Sequence, residues 1–226
     1  CISCCGCHYK MIFSQTCSCT VIIADAIFTE HKAMTLQLSY QNRSIQTKKS
    51  TPSLAGSLGL SMHEVLFLEA SRLDDVAVDD KDRIRIALDV IYENSDSESG
   101  SILLASPDRP TLYFADAWGP SAHAVFDHDV PLSRGLAGFC ARTGTCVVVD
   151  SALRDGRFYD VVANATDYRI DNLCAAPIQE EGFVFGVIQL MNKPSGAYSE
   201  EEVRALAYLG RMLGKGIWQS NQDAPV

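Results

Sequence analysis

Apolar residues along this chain switch between two spacings, and the switches mark out its elements. After Met62, Val65, Leu66, Leu68, Leu73 and Val76 recur at three-and-four spacing, which predicts a helix. A break follows at Val78, Asp79 and Asp80. Ile84, Leu88 and Ile91 then fall at i, i+4 and i+7, so a second helix is predicted, capped by Asp79 or Asp80, whose carboxylate can accept from first-turn amides. The polar run 94–100 ends it. Short β-prone runs at 101–105 and 111–115 flank two prolines and an aspartate and read as a hairpin. Val130, Pro131 and Leu132 read as an edge strand, where a missing amide donor is tolerated.

A short helix opens at Gly135, Leu136, Ala137 and Gly138 and stops at Thr143 and Gly144, before a strand at 146–150. Runs 173–178 and 183–191 are strongly apolar and predict central antiparallel strands around a turn at 179–182. Ser199 followed by Glu202 is a capping box for a last helix, with Val203, Leu206, Ala207, Leu213 and Ile217 inward. Gly210 and Gly214 predict close approach to a neighbouring helix. The expected fold is α+β: a central, mostly antiparallel sheet of about six strands with helices on both faces. Entry and exit helices cover one face and residues 150–172 the other. We expect a Cys-rich and polar extension at 1–56, poorly ordered, one domain at 57–220, and a tail at 221–226.

Composition narrows the function. A net charge of −9 argues against a nucleic-acid or anionic-membrane partner, either of which needs a clustered basic surface, and Lys48 with Lys49 is too short a patch to supply one. No apolar run reaches the roughly 18 residues that span a bilayer. A cytoplasmic protein is expected. Of the nine cysteines, Cys1, Cys4, Cys5, Cys7, Cys17 and Cys19 crowd the start, where their spacing, with His8, fits no zinc-finger pattern. Cys140, Cys146 and Cys174 sit in apolar stretches and read as reduced, buried thiols. No metal is expected.

Residues 130–193 carry the most distinctive pattern. Val130 to Cys140 holds the glycine turn, Asp150 to Phe158 and Thr166 to Ile178 lead into a buried strand, and Gly186 to Lys193 closes the run. This stretch resembles a GAF domain, the small-molecule-binding regulatory module of cyclic-nucleotide phosphodiesterases, sensor kinases and bacterial enhancer-binding regulators, over roughly residues 60–217. The phosphodiesterase members are the closest in pattern. The resemblance implies a nucleotide pocket under a lid formed by residues 150–172. Ser101, Ala137 and Thr166 match ligand-contacting positions, Trp118 stands near an aromatic that flanks the base, and Gly135, Phe158 and Asn172 complete the frame. Ala163 replaces an acidic base-reading residue, Ile170 a threonine and Gln189 a glutamate. Each change removes a directional hydrogen bond worth about 0.5–1.5 kcal/mol. Asn192 and Lys193 of a structural motif are kept, Tyr198 replaces its phenylalanine and Glu202 its aspartate, which leaves a Lys193–Glu202 ion pair.

The resemblance therefore implies a non-catalytic regulatory module that binds a small molecule, a cyclic nucleotide or another small metabolite. It implies signalling through the terminal helices, a homodimer formed by them, and an output domain, attached or separate. Two alternatives stand beside it. One is a ligand-free dimerisation or assembly module. The other is an enzyme like free methionine-R-sulfoxide reductase, whose family carries a cysteine in the glycine turn where this chain has Ala137. Covalent bilin attachment fails because Ala175 follows Cys174, and haem ligation fails because all five histidines precede the lid.

Overall fold

The computed structural model describes residues 78–222, together with Ile22–Ile23 and the single positions Glu64, Val65, Leu68 and Leu73. The Cys-rich and polar extension expected at 1–56 lies outside the described residues apart from Ile22–Ile23. Of the expected entry helix, Val65 and Leu73 are buried and Leu68 is exposed.

The two-residue strand β1 (Ile22–Ile23) is followed by helix α1 (Asp80–Asn94). Asp79 is the residue that caps α1, its carboxylate accepting from the Asp82 amide at 2.8 Å. Ile84, Leu88 and Ile91 are fully buried along one stripe. The helix stops where Ser95 turns extended and returns its amide to the Ile91 carbonyl at 2.8 Å.

Then come β2 (Ser99–Ala105), β3 (Thr111–Trp118), β4 (Asp129–Pro131), α2 (Gly135–Thr143), β5 (Val147–Val149), α3 (Val161–Ala165), β6 (Leu173–Glu180), β7 (Phe183–Met191) and α4 (Glu200–Gln222). Six strands lie in the order β4-β3-β2-β7-β6-β5, with every neighbour antiparallel. β1 runs parallel to the start of β7, opposite Phe183 and Val184, beyond the point where β2 stops pairing. β2 starts at Ser99 rather than Ser101, because Ser99 and Gly100 already pair with Met191 and Leu190. α4 continues through Gln222, into the expected tail.

Strand alternation sorts the core into two layers. Ile102, Leu104, Cys174, Ile188 and Leu190 face α1 and α4, while Leu103, Leu173, Ala175 and Val187 face α2 and the lid. Both faces of the central strands are thus covered, which is why their apolar runs are nearly continuous. α4 begins with the expected capping box: the Ser199 amide donates to Glu202 at 2.7 Å and the Glu202 amide to the Ser199 hydroxyl at 3.2 Å. Its glycines require a correction. Gly210 and Gly214 abut strand β6 rather than a helix, a Cβ on them lying 2.3 Å from the Pro177 carbonyl oxygen and 2.6 Å from Gln179. They bring α4 down onto its own sheet.

Candidate functional site

The lid-side face of the sheet is not filled by side chains. A cavity remains between β2, β3 and β7 below, the start of α2 at one side, and the segment running from Phe158 to Ile170 above. The centre of a water-sized sphere sweeps about 90 Å³ inside it, several times the roughly 10–15 Å³ that holds one water. The structure brings nine of the ten expected site residues to this wall: Ser101, Trp118, Gly135, Ala137, Phe158, Ala163, Thr166, Ile170 and Gln189.

Each reaches it for a local reason. Ser101 and Gln189 are cross-strand partners on the same face of β2 and β7, with the serine hydroxyl 3.5 Å from the glutamine Oε1. Gly135 holds φ at +75°, which favours a residue without Cβ, and a Cβ there would stand 3.0 Å from that of Tyr159. The first turn of α2 carries no side-chain cap, and Leu136 and Ala137 in that turn line the cavity. Such uncapped amides are where an anionic group is stabilised. Gly138 serves packing instead, pressed against the Pro131 and Leu132 carbonyls.

Thr166 ends α3 and donates its hydroxyl to the Val162 carbonyl at 2.9 Å, and Ser121 donates to the Thr166 carbonyl at 3.2 Å. Phe158 and Ile170 pack on the lid-side core. Farther out in the lid, Arg157 lies over the Phe139 ring at 4.7 Å and grips Asp155 through two hydrogen bonds, at 2.9 and 2.6 Å. The Arg157 guanidinium and amide hold the Asp155 carboxyl down at about 2.

Two expected residues behave differently. Trp118 borders the cavity, but its ring packs into the opposite core, edge-on to Tyr92 at 5.8 Å and pressed on Gly100. A bulge in the β2–β3 pairing, between Ile102 and Leu103, shifts the parity of β3 and turns the indole over. Asn172 does not line the cavity. It clamps the strand end, accepting from the Lys193 amide at 2.8 Å and donating to the Lys193 carbonyl at 3.1 Å.

The motif after β7 is a bonded unit. The Lys193 ammonium reaches both Glu202 oxygens, at 2.7 and 2.6 Å, and stands 5.7 Å over the Tyr198 ring. Burial alone would raise the Glu202 carboxyl, but Lys193 and the Ser199 amide outweigh it and hold it below its ordinary value. The Tyr198 hydroxyl meets Ser97 at 3.0 Å. Asn192, at φ +56°, donates to Glu98 at 3.0 Å and to the Arg169 carbonyl at 2.8 Å.

Sequence reasoning missed Ser99, Phe114, Tyr159, Tyr168 and Met191, which also line the wall. Ser99 was findable, since it sits two residues from Ser101 on the same strand face. Among the wall residues none carries a charged side chain. Of the thiols, burial pushes Cys140 up, with a contribution from its neighbours Cys146 and Cys174, and burial also pushes Cys174 up to about 12. Both remain protonated at neutral pH.

The chain is thus an α+β domain, a six-stranded antiparallel sheet with α1 and α4 on one face and α2 with the lidded cavity on the other. The chain belongs to the GAF domain family, whose model matches residues 81–217. The probable 3',5'-cyclic phosphodiesterase pde-5 of Caenorhabditis elegans is 34% identical over 133 residues, which is 50% of this chain and 18% of that protein. The chain thus corresponds to less than a fifth of that relative's length. Among solved structures, free methionine-R-sulfoxide reductase from Neisseria meningitidis in complex with its substrate superposes with a TM-score of 0.61 at 18% identity, covering 80% of this chain and 99% of that one. The GAF domain of a phosphoenolpyruvate-protein phosphotransferase from Coxiella burnetii gives 0.64 at 14% identity, covering 72% and 95%. At these identities the structural likeness speaks to the fold alone.

Proposed function

We propose that this GAF domain is a non-catalytic regulatory module that binds a small, nucleotide-like molecule under the lid and signals through its terminal helices. One observation carries the reading: Ser101, Ala137, Phe158, Thr166 and Gln189, spread over 89 positions of sequence, converge on one cavity. The uncapped start of α2 offers amides for a single anionic group, and the aromatic and aliphatic walls suit a planar ring. The phosphodiesterase relative points to cyclic nucleotides as the first compounds to try. Within this proposal the protein is cytoplasmic, pairs through its terminal helices, and acts on an output domain, attached or separate. No described helix is long and apolar enough to cross a membrane.

The reductase reading is weaker on this chain's own chemistry. Ala137 occupies the glycine turn, and the buried thiols hold their protons, whereas an attacking cysteine must be an accessible thiolate. The assembly reading draws on Ala163, Ile170 and Gln189, which bring no charge to the wall.

A thermal-shift panel of cyclic AMP, cyclic GMP, adenosine, guanosine and their monophosphates separates sensor from assembly module. A ligand at about 100 times its Kd adds roughly 2.7 kcal/mol of stability. We expect one compound class to raise Tm in the wild type, and the shift to vanish in Ala163→Trp, which fills the cavity from the lid. No shift across the panel, with a concentration-independent dimer, overturns the sensor reading.

A further inference from the structure

Tyr168 does something the cavity wall does not require. Its ring lines the cavity, yet its hydroxyl reaches out of it to Glu98 Oε2 at 2.9 Å, Ser99 Oγ at 2.8 Å and Asn192 Nδ2 at 3.1 Å. A phenol has one proton to give and two lone pairs. The three contacts use all of them if the proton goes to the Glu98 carboxylate, while Ser99 and Asn192 donate. Glu98 Oε2 also accepts from Asn192, whose two amide hydrogens are shared among Glu98, the Tyr168 hydroxyl and the Arg169 carbonyl, so tyrosine, glutamate and asparagine close a triangle. The triangle joins the lid to the end of β7 and the start of β2.

The two arms that deliver the triangle are both held in the left-handed region without glycine: Asp167, just before Tyr168, at φ +49°, and Asn192 at φ +56°. Backbone of this kind persists only where its surroundings hold it, and it concentrates at switch points. From Asn192 the bonding runs on without a gap. Asn192 is tied through its amide to the Asn172 carbonyl at 3.0 Å, Asn172 brackets the Lys193 backbone, and Lys193 grips Glu202, which caps α4.

We propose that Tyr168 is the latch of the lid and the residue through which the state of the cavity reaches the first turn of α4. A molecule that pushes the ring aside breaks the triangle at its cavity corner, and one that draws the Ser99 proton to itself takes away the bond that steadies that corner. Asn192 then loses a partner that fixes its strained conformation, and the adjoining Lys193 loosens its hold on the capping box. A latch that stays closed keeps the lid down and the helix start ordered. This deepens the sensor reading and rests on it for its regulatory meaning.

The test is hydrogen exchange of the full chain without ligand, so an inert Tyr168 would overturn the latch while leaving the binding reading to the thermal-shift panel. Tyr168→Phe removes only the hydroxyl and leaves the ring on the wall. We expect faster exchange at lid amides 157–171 and, with it, at 200–206 in α4, by about three- to tenfold, the factor that one lost hydrogen bond allows. Asn192→Gly, which tolerates positive φ, should reproduce both effects, and the double variant should add little. Tyr159→Phe, a second phenol on the wall, should leave α4 unchanged. Acceleration confined to the lid, equal acceleration in Tyr159→Phe, or additive effects in the double variant would overturn the proposal.

Discussion

Lys193 and Glu202 show how far single residues were legible. Their ion pair follows from the motif itself, because a lysine just after a strand and a glutamate at the third position of a capped helix have only a short turn between them. The pair is nine-tenths enclosed on neither side, with exposures of 12% and 17%, so solvent screens it only in part. Lys193→Met should lower stability by about 1.5–3 kcal/mol, the range for hydrogen bonds to charged groups, measured by chemical denaturation at pH 7. The Glu202 carboxyl titrates below its unfolded value. The pair's contribution is therefore complete above the ordinary glutamate pKa of about 4.3 and lost as pH falls through the depressed one. Wild type and Lys193→Met should accordingly differ at pH 7 and converge in acid. Tyr168 was not legible in the same way. Nothing in a local run says that Asp167 turns through positive φ and throws the next side chain onto residues 69 and 70 positions earlier.

At the scale of elements, periodicity located every long helix and strand of the described region, because each buries a stripe or a face whose spacing is written in the chain. It did not say what each face meets. Gly210 and Gly214 announced a close approach, yet the neighbour is β6, since α4 lies flat on the sheet rather than across another helix. Trp118 borders the cavity as a residue, while one bulge turns its ring to the other layer, since a single extra residue reverses inside and outside from that point onward. Gly210→Ala is the sharp test of the first correction. Alanine favours a helix over glycine by about 1 kcal/mol, but the added Cβ would stand 2.3 Å from the Pro177 carbonyl oxygen, and overpacking costs about 1–3 kcal/mol. We expect net destabilisation by urea unfolding. A gain would mean that the helix can lift off β6 freely. Leu206→Ala, which empties a fully buried site on the same face, should cost about 2–5 kcal/mol.

For the whole molecule, the arrangement places the cavity and α4 on opposite faces of one sheet, so any signal between them must pass through the sheet or round its end. The route round the end is continuous in hydrogen bonds, from Tyr168 through Asn192, Asn172 and Lys193 to Glu202. Through the sheet, the way lies across the packed layer that holds α1 and α4 and offers little that can move. Family resemblance supplied the pocket frame, whereas the neutrality of its wall emerged only once all of its lining was assembled in space.

An NMR titration of the full chain, following backbone amides against cyclic AMP and cyclic GMP in turn, tests the central claim most directly. A bound nucleotide should perturb 99–101, 135–137 and 158–170 at the cavity, and together with them a second group at 200–206 across the sheet. Perturbations that miss the cavity, or no saturable change with either nucleotide, would contradict the account.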